Sequence, residues 1–80
     1  MPTLNELRAQ IDALDADILA RLSERARCAR EVGAIKKAEG SKNIAYYRPE
    51  RERQVLERVA ALNDGPLSDQ EIMRLFREIM

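Results

Sequence analysis

Histidine and tryptophan are both absent from this 80-residue chain, and cysteine occurs once, at Cys28. Without histidine the chain lacks the usual general base near neutral pH and the commonest metal ligand. A single cysteine excludes an intrachain disulfide and suggests a reducing compartment. Cys28 reads as a small apolar residue at the edge of a helical stripe, since no histidine is there to activate it. Neither HExxH nor an acidic cluster at metal spacing occurs, so a metal site is not expected. Neither GxGxxG nor GxxxxGK[ST] occurs, so neither a dinucleotide nor a nucleoside triphosphate is indicated. Ser23, Ser41 and Ser68 have no plausible base partner.

Charge of one sign is missing too. Fourteen basic and fourteen acidic residues cancel, without the basic excess that broad nucleic-acid binding needs. No apolar run is long enough for a membrane span, and Met1-Pro2-Thr3 leads directly into an amphipathic segment instead of a signal peptide. The expectation is a soluble, cytoplasmic protein. With 45% hydrophobic residues and only Tyr46, Tyr47 and Phe76 as aromatics, any core is aliphatic and thin, and the length allows one domain.

What is present is helical periodicity. From Thr3 to about Lys37 there is no proline, and no glycine before Gly33. Thr3-Leu4-Asn5-Glu6 fits a capping box, with Thr3 as N-cap and Glu6 returning to its backbone. At 100° per residue, Leu4, Leu7, Ile11, Leu14, Ile18, Leu22, Ala29 and Val32 share a sector roughly 80° wide, a stripe built to be buried. Such a helix is roughly 50 Å long, against an expected radius of gyration of about 12 Å for the whole chain. One chain does not cover such a stripe alone, and a two-fold dimer is the simplest remedy.

Gly40 reads as the helix stop, followed by a polar loop and an extended apolar Ile44-Ala45-Tyr46-Tyr47. Pro49 suits the first turn of a second helix over about 49–62, with Glu50 and Glu52 at its positive end. Val55, Leu56, Val59, Ala60 and Leu62 give it an apolar face. Asn63-Asp64-Gly65-Pro66 is a terminator and turn, and Ser68-Asp69-Gln70-Glu71 opens a third helix over 68–80 with Ile72, Leu75, Phe76 and Ile79 on one side. That helix is still amphipathic at Met80 and shows no C-cap in the sequence, which reads as a native chain that continues. The fold class is all-α.

Three cations fall in or beside the apolar stripe: Arg8, Arg25 and Lys36. Burying a cation is unfavourable unless an anion meets it, so either the protein or a ligand supplies one. Arg25 and Lys36 lie about 16 Å apart along the axis, close enough for long side chains to hold two ends of a small molecule. Arg8 lies about 25 Å from Arg25, too far to join it on the same helix. In an antiparallel pair of helices, Arg8 of one chain lies beside Arg25 of the other, giving two equivalent shared sites. The blander alternative pairs Arg8 and Arg25 with Asp12, Asp15 or Glu24. On the second helix, Arg51 and Glu52 border the apolar face, a donor and an acceptor suited to a ligand with both carboxylate and hydroxyl groups.

LRAQIDALDADILARLSERARCAREVGAIK followed by YYRPERERQVLERV resembles the all-α chorismate mutases, and the likeness runs on through GPLSDQEIMRLFREIM. It is strong toward the amino-terminal domains of bacterial bifunctional chorismate mutase–prephenate dehydratases. The resemblance implies an intertwined homodimer of three-helix chains with antiparallel first helices, and fusion to a prephenate dehydratase. It implies pericyclic rearrangement of chorismate to prephenate in phenylalanine and tyrosine biosynthesis, needing no nucleophile, metal or cofactor. By the same resemblance, Arg25 holds one substrate carboxylate and the partner's Arg8 the other. Lys36 donates to the ether oxygen, Glu52 accepts from the ring hydroxyl, Arg51 orders the site, and Val32 and Val55 line it. Some relatives carry an acid where this chain has Arg48. The family's third-helix Gln or Glu donor falls past Met80, which implies weak binding or slow reaction for the chain as it stands. Three rivals remain open: a non-catalytic regulatory domain of this fold, an isochorismate pyruvate lyase, and a purely structural helical dimerisation module.

Overall fold

The computed structural model describes residues 1–38 and 49–80. They form three helices: α1 (Leu4–Ala38), α2 (Pro49–Leu62) and α3 (Asp69–Ile79). Two units make up the chain, one carrying α1 and the other α2 with α3. Gly40, the Ile44–Tyr47 segment and Arg48, singled out above, lie outside the described residues.

Local chemistry explains where α1 starts. The Glu6 amide donates to Thr3 Oγ1 at 3.1 Å and the Leu7 amide to the Thr3 carbonyl at 3.0 Å, so Thr3 is the N-cap. The reciprocal bond, from the Thr3 amide to the Glu6 carboxylate, is not among those formed by the described residues. Glu6 faces solvent and acts instead as a first-turn acid at the positive helix end.

The stripe along α1 is open to solvent in the single chain. Leu4 is 63% exposed, Ile11 55% and Ile18 56%, and no residue of α1 is fully buried. In a single copy the stripe is therefore not buried. A helix of 35 residues carries its apolar stripe along roughly 50 Å and does not bury that stripe by itself.

The second unit is a helical hairpin in which α2 packs on α3. Val55, Leu56, Val59 and Ala60 are half-buried on α2, and Ile72, Met73, Phe76 and Ile79 on α3. Two apolar residues differ from expectation. Leu62 is 68% exposed at the last residue of α2, and Met73 turns inward where the pattern predicts Leu75, leaving Leu75 51% exposed. Met73 and Leu75 flank Ile72 on opposite sides of the helix, and the neighbouring helix takes only one of them.

The turn between them is organised by Asn63. Its Nδ2 donates to the Leu67 carbonyl at 2.9 Å and to Asp69 Oδ1 at 2.8 Å, while its Oδ1 accepts from the Gly65 amide at 3.3 Å. A complete capping box then opens α3: the Glu71 amide donates to Ser68 Oγ at 3.1 Å and the Ser68 amide to Glu71 Oε1 at 3.3 Å. Ser68 is thus the cap and Asp69 the first helical residue. At the other end Met80 takes the C-cap position that the sequence pattern leaves empty, its amide donating to the Phe76 carbonyl at 2.9 Å. Replacing Ser68 by Ala removes the acceptor for Glu71 and is expected to destabilise the folded state by about 1 kcal/mol, read as a lower urea midpoint at unchanged slope.

Candidate functional site

Helix α1 carries Arg8, Arg25, Val32 and Lys36, and α2 carries Arg51, Glu52 and Val55. Arg25 and Lys36 are half-buried, whereas Arg8 is exposed. Glu24, the acid next to Arg25 in sequence, is engaged by Arg21 at 3.1 Å. Along α1 no carboxylate of the described residues lies within ion-pair distance of Arg8, Arg25 or Lys36, so the blander pairing with Asp12, Asp15 or Glu24 does not form. Three cations in or beside the apolar stripe keep their charge unmatched by their own helix.

The arginine–glutamate run at the start of α2 divides by face. Arg53 pairs with Glu50 at 2.7 Å and approaches Glu57 at 3.9 Å. These three residues lie roughly opposite Val55 on the helix and form a solvent-facing i,i+3/i,i+4 set. Arg51 and Glu52 instead flank the side carrying Val55 and Val59, by the same 100° arithmetic. Among the described residues Arg51 makes a long 3.5 Å contact to Gln54, and Glu52 takes no ion pair along α2. A donor and an acceptor therefore remain at the border of a half-buried apolar face.

An open groove on α1 lined by Gln10, Ala13, Leu14 and Asp17 contains none of these residues. No cluster of three or more His, Cys, Asp or Glu side chains stands together among the described residues, and Cys28 is exposed. None of the described helices is long and apolar enough to cross a membrane.

Residues 7–80 match the family model described as chorismate mutase type II. The chain belongs to this family. Similarity to individual chorismate mutases is extensive. It is 53% identical over 79 residues to the bifunctional chorismate mutase/prephenate dehydratase of Stutzerimonas stutzeri, and 50% identical over 80 residues to that of Pseudomonas aeruginosa. Each alignment covers 96% of this chain but 22% of the relative, so the chain spans about a fifth of the length of these curated relatives. Among solved structures, a chorismate mutase from Thermus thermophilus superposes with a TM-score of 0.86 at 37% identity, covering 95% of this chain and 91% of that one. The three-helix, all-α architecture expected from the sequence is that of the solved chorismate mutases.

Proposed function

We propose that this chain catalyses the rearrangement of chorismate to prephenate in phenylalanine and tyrosine biosynthesis. The observation that carries this reading is the set Arg8, Arg25 and Lys36, unmatched along its own helix, within a sequence that fits the chorismate mutase type II family from residue 7 to residue 80. The substrate is a dicarboxylate with an enol-pyruvyl ether. In one concerted step the ether C–O bond breaks and a C–C bond forms within the same molecule, so no atom enters or leaves.

Such a reaction asks for a compact conformer and for positive charge aimed at the ether oxygen as its C–O bond breaks. Arg25 and the partner's Arg8 hold the two carboxylates. Lys36 donates to the ether oxygen, Glu52 accepts from the ring hydroxyl, Arg51 orders the α2 side, and Val32 and Val55 supply apolar wall. Arg48 joins them as a weaker candidate. The two sites are shared across an intertwined homodimer with antiparallel α1 helices, which also covers the exposed stripe. The chain is a single cytoplasmic mutase domain, fused in the longer protein to a prephenate dehydratase, as in the relatives named above.

The test follows chorismate loss by absorbance, with this chain and with a chain extended by the residues that follow Met80. Turnover by the extended protein is expected. Its failure would sink the reading and favour a regulatory or purely structural helical module.

The pH profile provides a further check. With no histidine in the chain, no side chain has its ordinary titration range centred near neutrality. The turnover rate is expected to vary less than about twofold between roughly pH 6 and 8. A steep inflection between those limits would count against a proton-free mechanism.

A further inference from the structure

The charges of α1 are segregated along its length. Residues 4–20 hold one base, Arg8, against four acids, Glu6, Asp12, Asp15 and Asp17, a net charge of −3. Residues 21–38 hold six bases, Arg21, Arg25, Arg27, Arg30, Lys36 and Lys37, against two acids, Glu24 and Glu31, a net charge of +4.

The helix dipole favours acids at the start and bases at the end, but its influence fades within the first and last turns. Only Glu6, Lys36 and Lys37 lie there. Asp12, Asp15 and Asp17 on one side of the midpoint and Arg21, Arg27 and Arg30 on the other stand well inside, all exposed. Among the described residues the ion pair within α1 is Arg21–Glu24, which lies wholly in the basic half and leaves the segregation intact.

We infer that this segregation is an orienting device: the solvent-open stripe of α1 is covered by the α1 of a second copy, and the charge pattern selects the antiparallel direction. Two copies side by side in parallel set −3 against −3 and +4 against +4. Antiparallel copies set each acidic half against a basic half. The flanking charges of packed helices lie within or near the Debye length of about 8 Å at physiological salt, so they are not fully screened. The inference rests on the dimer proposed above and adds what fixes its direction. Direction matters chemically, because only the antiparallel pair brings Arg8 of one copy to Arg25 of the other.

The experiment measures the dimer dissociation constant by sedimentation in about 20 mM and about 500 mM NaCl, a range over which the Debye length falls severalfold. Asp12→Lys/Asp15→Lys/Asp17→Lys makes both halves positive. It is expected to weaken the dimer about tenfold or more at low salt, and to weaken it less at high salt. Adding Arg21→Glu, Arg27→Glu and Arg30→Glu to the same chain inverts both halves and is expected to restore most of the loss. A parallel dimer still sets like halves against each other after that second change, +3 on +3 and −2 on −2. Its constant then falls with salt, whereas that of the antiparallel dimer rises with salt again. An unchanged constant in the triple variant, or no recovery in the sextuple one while helicity is retained, would overturn the inference. Should circular dichroism show either variant unfolded, the unmodified chain decides. A constant that rises with salt supports the inference, and one that is flat or falls overturns it. An unmodified chain that stays monomeric at low salt would remove the dimer itself. A dimer indifferent to charge would remove only the orienting role.

Discussion

Lys36→Ala is expected to lower kcat/KM for chorismate by about 10³-fold, roughly 4 kcal/mol of lost transition-state stabilisation. The loss falls mainly on kcat, because the charge on the ether oxygen develops as its bond breaks and is weak in bound chorismate. Alanine is the best helix former, so α1 itself is not weakened at a position inside its last turn. An unchanged circular dichroism spectrum with near-normal sedimentation would assign the loss to chemistry. Lys36→Met keeps the stem without the charge and is expected to be equally inactive. A variant that kept more than about a tenth of the activity would remove Lys36 from the mechanism, because one donor of this kind ordinarily supplies at least 10²-fold.

The second large effect is a rescue. Arg8→Ala and Arg25→Ala should each lose about 10²- to 10³-fold in kcat/KM, since a charged carboxylate contact is removed from every site. Mixed after brief unfolding and refolding, the two variants form heterodimers in about half of the population. In each heterodimer one site has lost both arginines, and the other has both. The mixture is therefore expected to regain about a quarter of the unmodified activity. Sites built from one chain alone would show no recovery at any mixing ratio. The readout separates shared sites from shared stability, because a mixture of merely destabilised chains would not converge on that fraction.

The helices were legible because their determinants are local. Ser68 and Glu71 form their box within four residues, and Thr3 reaches only to Glu6 and Leu7. Which apolar residue turns inward was less legible. Leu75 and Met73 are both apolar, and the choice depends on where the neighbouring helix lies. Asn63 read as an ordinary turn residue, yet its side chain bonds Leu67, Asp69 and Gly65. An asparagine directly after the last helical residue, six before an aspartate, was the available signal.

For the site, the sequence placed Arg8, Arg25 and Lys36 on or beside one stripe. The structure adds that Glu24, next to Arg25 in sequence, pairs with Arg21, and that no ion pair joins Arg25 to a carboxylate among the described residues. The division of the α2 run, with Arg53 tied to Glu50 and Glu57 and with Glu52 left out, was not apparent from the letters. Periodicity orients these side chains, but ion pairing depends on rotamers that periodicity does not specify. The roles proposed for these residues toward a substrate came from family likeness, because a site shared between two chains, as proposed, would leave no short-range trace in one.

The open stripe of α1 has a consequence for the order in which the protein matures. The α2–α3 hairpin joins neighbours close in sequence, so it forms in a step whose speed is independent of how many copies are present. In the proposed dimer, covering α1 takes an encounter between copies, and its rate falls with dilution. On that proposal a newly made copy carries roughly 50 Å of uncovered leucine and isoleucine for a time set by its own abundance. Scarce copies wait longest, and during that wait they are the ones most open to chaperones and proteases.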